Sequence, residues 1–181
     1  MVLVRILWTL ILAGCIKASP PVLAPSSIDV VSTMTLSTVD TAHGQPLPKG
    51  LNSMLRDVLS ARRLNLQPIQ APTLFNQGQS TLHRIKWLAA NNGSAPILLL
   101  IELNARRYDT MGGRFRWVVT VHLSIASQSD PASLHTSEFS VPVHLRYAHD
   151  DATDAVAASL PTIRRRLAAA IDSHLSGATT P

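Results

Sequence analysis

Apolar residues recur with a period of two at Ile28, Val30, Met34 and Leu36, while Asp29, Thr33, Thr35 and Ser37 fall mainly on the other side. This alternation predicts a β-strand over residues 28–39 with one face on a core. Past a loop that ends at Pro46 and Pro48 the period changes. Leu51, Met54, Leu55, Val58 and Leu59 stand three and four apart in a stretch without Gly or Pro, so residues 51–64 are expected to form an amphipathic helix laid on a sheet. A shorter helix is predicted after Ser80, with Leu82, Ile85, Leu88 and Ala89 along one side and Asn91-Asn92-Gly93 as its stop. Pro96 then opens the run Ile97-Leu-Leu-Leu-Ile101, which reads as a central strand continuing to about Tyr108, with residues 109–113 as a hairpin turn. Phe115, Trp117, Val119, Val121, Leu123 and Ile125 alternate with Arg114, Arg116, Thr120, His122 and Ser124, the pattern of a half-buried strand. After a loop over residues 127–133, Phe139, Val141, Val143, Leu145 and Tyr147 alternate with polar residues, and Pro142 assigns that strand to an edge. Val156, Leu160, Ile163, Leu167, Ile171 and Leu175 then form a helical stripe. Within it Pro161 either kinks the helix or stands near the start of its second half, with Ser159 as cap. The order strand, helix, short helix, three meandering strands, helix predicts an α+β two-layer sandwich. Its sheet is expected to be four-stranded and mainly antiparallel, with two to three helices packed on one face.

The front of the chain follows different rules. Arg5, the apolar residues 6–12 and Ala13-Gly14-Cys15 have the charged, apolar and small-residue order of a secretory signal. The segment is short of the ~20 apolar residues a membrane-spanning helix needs, and Lys17 and Pro20-Pro21 follow at once. Residues 16–27, rich in Pro, Ser and Ala, read as an extended tether. The expected organisation is a signal at 1–14, a modified N-terminus and tether at 15–27, one α+β domain at 28–176, and a frayed tail at 177–181.

The chain has 181 residues, one cysteine and a formal net charge of +5, part of it from Arg5, which would leave with the signal. One cysteine excludes an intramolecular disulfide. The modest basic charge raises a nucleic-acid reading, but the export signal, the low aromatic content and the lack of any nucleic-acid-binding signature oppose it. Anionic lipid, glycan or an acidic protein is the better partner class.

No catalytic spacing stands out: there is no Gly-x-Ser-x-Gly elbow, phosphate loop or His-Glu-x-x-His pair, so neither an enzyme nor a bound cofactor is expected. His122 and His144 fall on polar strand faces and could meet, yet without a nearby carboxylate no metal site is assigned. Asp150, Asp151 and Asp154 precede the last helix and fit its positive end as capping groups. Arg164-Arg165-Arg166 would fan over that helix's exposed side. Arg106, Arg107, Arg114 and Arg116 flank the turn at 109–113, and antiparallel pairing would bring them to one end of the sheet. Guanidinium groups there suit phosphate or carboxylate, making this end the candidate contact for a partner or an anionic ligand.

Leu12-Ala13-Gly14-Cys15, at the end of the apolar run, resembles the lipobox of bacterial lipoproteins. The resemblance implies cleavage after Gly14, a diacylglyceryl group on the Cys15 thiol, and acylation of the new amino group. Several acyl chains anchor firmly where one holds only reversibly. By resemblance to enterobacterial sorting, Ile16 rather than Asp after the cysteine points to the outer membrane, facing the periplasm. Three envelope lipoprotein types resemble the rest of the chain. Residues 51–64, 108–125 and the elements after them look like the lipopolysaccharide-assembly lipoprotein that plugs an outer-membrane barrel. Residues 101–109, 114–125 and 139 onward look like the auxiliary lipoproteins of ABC-type lipid transport. Residues 80–92 running into 97–103 look like penicillin-binding-protein activators and exopolysaccharide-export lipoproteins. All three imply a non-enzymatic accessory subunit docked on an envelope complex. A stand-alone module for an anionic lipid or glycan, using the same arginines, is the alternative.

Overall fold

The computed structural model of the protein describes residues 27–38, 46–69, 80–91, 95–108, 115–147 and 149–177. In chain order the elements are β1 (Ile28–Thr38), α1 (Lys49–Ser60), β2 (Leu64–Pro68), α2 (Thr81–Asn91), β3 (Ile97–Tyr108), β4 (Phe115–Ser127), β5 (His135–Leu145) and α3 (Ala152–Gly177). The strands form one sheet in the order β2-β1-β3-β4-β5. β1 runs parallel to both β2 and β3, whereas β3, β4 and β5 form an antiparallel meander. The α+β class stands, with one mixed five-stranded sheet and three helices.

Strand alternation sends Val30 and Leu36 of β1, Leu99, Ile101 and Leu103 of β3, and Val119, Val121 and Leu123 of β4 to one face, where α1 and α3 cover them. The two helices lie side by side and run in the same direction. Near the start of α1, Gly50 lets Leu160 of α3 approach so closely that a Cβ there would stand 3.0 Å from its Cδ1. One residue beyond the C-cap of α1, Arg62 grips Asp172 with two hydrogen bonds of 2.6 and 2.7 Å, and also donates to the Val58 and Ala168 carbonyls. The second position of α1 is thus bare backbone against α3, and the contact just beyond its other end is a bidentate ion pair of fixed geometry.

Two expectations are corrected. The first helix does not reach Leu64: it ends at Ser60, and Arg62 and Arg63 donate to the Leu59 and Ser60 carbonyls in a tightened last turn. Arg63 adopts a positive φ of 59°, which reverses the chain so that the Ile28 N–H bonds the Arg63 carbonyl and residues 64–68 add a fifth strand beside β1. The second correction concerns α2, which packs on the other face from α1 and α3, over Val31, Leu98, Leu100 and Ala126. Parallel crossovers are right-handed. The β1-to-β2 step moves outward and the β2-to-β3 step moves back across β1, so the two connecting helices must take opposite faces.

At the last helix the capping expectation is met by a reciprocal box: Asp154 N–H bonds Asp151 Oδ1, and Asp151 N–H bonds Asp154 Oδ2, both at 3.0 Å. Asp150 accepts from the Tyr147 N–H at 2.9 Å. Ser159 is not a cap. It lies inside the helix, and its hydroxyl donates to the Val156 carbonyl at 2.8 Å, a local side-chain-to-backbone bond in the turn before Pro161. Pro161 sits on the exposed side of a helix assigned without a break.

Two substitutions test this layout in urea denaturation. Leu55→Ala, at a fully buried α1 position, is expected to lower stability by about 2–5 kcal/mol. Pro161→Ala restores the missing amide donor on a solvent-facing position and is expected to raise stability by up to about 3 kcal/mol. A loss with the second variant would mean that the proline shapes the docking of α3.

Candidate functional site

The polar face of the sheet is built by the same alternation that makes the core. Residues opposite those in the core line up across the strands in rows, and α2 covers only the rows Val31–Leu98–Ala126 and Thr33–Leu100–Ser124. Beyond its edge lie Thr35, Glu102, His122 and Glu138 in one row and Ser37, Asn104, Thr120 and Ser140 in the next.

At the far end of β3 and β4, the last row holds Tyr108, Arg116 and His144. The guanidinium of Arg106 stands 5.1 Å from the centre of the Tyr108 ring and that of Arg116 5.9 Å from it, so the two flank one exposed tyrosine by cation–π contact. Arg107 does not join them. Arg106 and Tyr108 on either side of it share one face and strand parity sends Arg107 to the other, where its guanidinium lies 4.4 Å from the centre of the Phe115 ring, on the helix-covered side. The four-arginine cluster expected at this end is therefore a pair on one face and a third arginine on the other. Arg114 and Cys15 lie outside the described residues.

His122 and His144 do not meet. His122 pairs in register with Glu138, 3.3 Å from Nδ1 to the carboxylate, while His144 faces Arg116 near the other end of β4. Among the described residues no group of three metal-ligating side chains is present. Arg164, Arg165 and Arg166 are exposed, as their helical phase requires.

The periodicity did not announce a cleft of about 300 Å³ where the start of α2 meets the polar rows. Ser37, Thr81, Arg84, Glu102, Asn104 and His122 line it. Arg84 donates to Glu102 at 2.9 Å, with side-chain exposures of 11% and 21%, so the pair forms a largely buried, mutually neutralised wall. Asn104 donates to the Ser37 hydroxyl at 3.1 Å, which in turn donates to the Leu103 carbonyl at 3.3 Å. The signal in the sequence was Glu102 itself, a single charge beside the apolar run 97–101, which a core tolerates only with a partner.

At the opposite corner His174 of α3 and His135 of β5 face each other with ring centroids 6.3 Å apart. Burial holds the His174 pKa below the ordinary histidine value, and repulsion from His135 adds to it. Asp172 is held below the usual carboxylate range by its hydrogen bond from Arg62 and by that group's charge.

No protein-family model matches the chain, and no curated protein matches it. Solved structures do show likeness. The PelC dodecamer from Paraburkholderia phytofirmans is similar over 81% of this chain and 92% of that one, with 18% identity and a TM-score of 0.43. Lipoprotein GNA1162 from Neisseria meningitidis is similar over 83% and 99%, with 13% identity and a TM-score of 0.42. A minor lipoprotein from Acinetobacter baumannii is similar over 87% and 97%, with 16% identity and a TM-score of 0.39. At such identities and TM-scores likeness assigns neither family nor function.

The histidine corner makes a pH prediction. Because the folded His174 takes up its proton at lower pH than the unfolded chain, its contribution is intact above the ordinary value near 6.5 and is lost as pH falls from there toward the folded pKa. The urea midpoint is expected to drop across that window, and His174→Gln should flatten the drop. Asp172 contributes its own loss only in the lower, carboxylate range. An unchanged slope in His174→Gln would remove His174 as its source.

Proposed function

We propose that the chain is an envelope lipoprotein, cleaved after Gly14, lipidated on Cys15 and acting without catalysis as an accessory subunit of a larger envelope complex. The observation that carries this reading is Leu12-Ala13-Gly14-Cys15 at the end of the apolar signal run, in a chain whose one cysteine stands there. Among the described residues no helix is long and apolar enough to cross a membrane, and the proposed attachment is the modified N-terminus. The outer membrane, by the residue after the cysteine, is the proposed site, with the domain in the periplasm. Lipopolysaccharide assembly, lipid transport and peptidoglycan-synthase activation are the proposed classes of complex.

The sheet geometry supports a protein partner over lipid of the anchoring bilayer. β1 begins beside the start of β3, and Arg106, Tyr108 and Arg116 lie at the other end of β3, which is 12 residues long. At ~3.3 Å per residue that end is about 40 Å from the point where the tether joins. Residues 16–27 reach about the same distance only when straight. Contact of the arginine end with the anchoring membrane would need that tether fully extended, which favours a protein partner bearing carboxylate or phosphate groups.

The test is in-cell cross-linking of the full-length protein with a C-terminal tag in its native host. Cys15→Ala is expected to abolish membrane partition and capture of the complex. Arg106→Glu with Arg116→Glu should keep the anchor but reduce partner recovery about tenfold or more, whereas Arg107→Glu, on the other face, should reduce it less. Unimpaired recovery with the double variant would sink the arginine contact, and a Cys15→Ala protein that stays on membranes would sink the anchor.

A further inference from the structure

We propose that the cleft at the head of α2 binds an uncharged sugar ring, and that the row of small polar residues beside it carries the neighbouring units of a neutral glycan. This site is separate from the arginine end and does not depend on which complex the protein serves.

Charge excludes the more obvious ligands first. The cleft's cation and anion, Arg84 and Glu102, are paired at 2.9 Å, and His122 stands beside Glu138 at 3.3 Å. A phosphate or carboxylate would have to break a largely buried ion pair to gain a partner, which is unfavourable. The helix start is already partly occupied, because Ser80 caps it: its hydroxyl accepts from the His83 N–H at 3.3 Å and its carbonyl accepts from the Arg84 N–H at 3.2 Å.

What remains is a set of planar, oriented polar groups. The bond from Asn104 to the Ser37 hydroxyl, and from that hydroxyl to the Leu103 carbonyl, fixes the amide and leaves the Asn104 carbonyl oxygen and one N–H for a ligand. Glu102 binds Arg84 through Oε2 and keeps Oε1 as an acceptor. A side-by-side donor and acceptor on one plane, with a carboxylate oxygen nearby, matches adjacent ring hydroxyls, each of which both donates and accepts. These groups are held before any ligand arrives, which lowers the ordering entropy of binding. The volume of about 300 Å³ lies at the low end for ligand sites and suits one ring.

The surroundings extend the match. Ser37, Asn104, Thr120 and Ser140 occupy one register row across β1, β3, β4 and β5. The Thr120 and Ser140 hydroxyls are 3.0 Å apart. Four strands spaced ~4.8 Å apart give a neutral track of about 14 Å. The cleft also sits toward the carboxyl end of the parallel strand β1 at the N-terminus of a crossover helix, where open sheets with helices on both faces place their ligands.

The experiment is saturation-transfer NMR and titration on full-length protein in a sugar-free detergent, with cellotetraose, maltotetraose and N-acetylchitotetraose as neutral probes and tetragalacturonate as the acidic one. At least one neutral probe is expected to bind with an affinity insensitive to salt. Asn104→Ala should weaken it about tenfold, and Ser140→Ala, further along the track, about threefold. Both positions are outside the core, and an unchanged melting temperature verifies folding. Binding of no neutral probe, tighter and salt-sensitive binding of the acidic one, or neutral binding unmoved by Asn104→Ala would each overturn the proposal. None of these results bears on anchoring or partner capture, which Cys15 and the arginine pair report.

Discussion

The handedness of parallel crossovers governs how this chain divides its two sheet faces. Leaving β1 for β2 and returning past β1 to β3 reverses the direction of travel, and a right-handed path can reverse only by changing faces. α1 therefore takes the face that α3 later completes, and α2 is left alone on the other. One short helix covers two rows of that face and no more. The remaining rows must meet water, which is why β3, β4 and β5 alternate apolar with polar residues where a doubly covered strand would be apolar throughout.

The boundary of that cover is the chemically unusual place. Arg84, on the rim of α2, and Glu102, in the first row beyond it, face each other where apolar packing gives way to solvent. Neither charge is tolerable there alone, and together they turn the rim of the helix into a neutral polar wall. At the far end of that face no helix among the described residues imposes such pairing, and the guanidinium groups of Arg106 and Arg116 lie against the Tyr108 ring. One sheet face thus carries a neutral recess and a cationic end, which suit different classes of partner.

Periodicity made β1, β3, β4, β5, α1 and α3 legible, because each presents one continuous apolar face. It failed at β2 for a local reason: Leu64-Asn-Leu-Gln-Pro68 holds two core residues, and the break before it is made by Arg63 at positive φ. Glycine or asparagine would have flagged that turn. It failed for α2 for a global one, since a helical stripe tells which side is apolar but not which face of the sheet receives it. The separation of Arg107 from Arg106 was implicit in strand parity. The Arg84–Glu102 pair was not, because it joins residues through tertiary packing, although a charge beside a run of five apolar residues marked one partner.

Wherever two copies of a sheet protein meet, the open edges of their sheets are the places where backbone could pair with backbone. Among the described residues the sheet has two such edges. One is β2, five residues long, too short to template an added strand. The other is β5, eleven residues long, with Pro142 paired to Val118 near its end. Proline has no N–H, and on an edge strand the missing donor is one that would point outward. A neighbouring strand that tried to zip along β5 would find a gap in the ladder there and the bulk of the ring beside it. That single imino acid blunts the longer edge, so that any association along the sheet falls to side chains rather than to backbone.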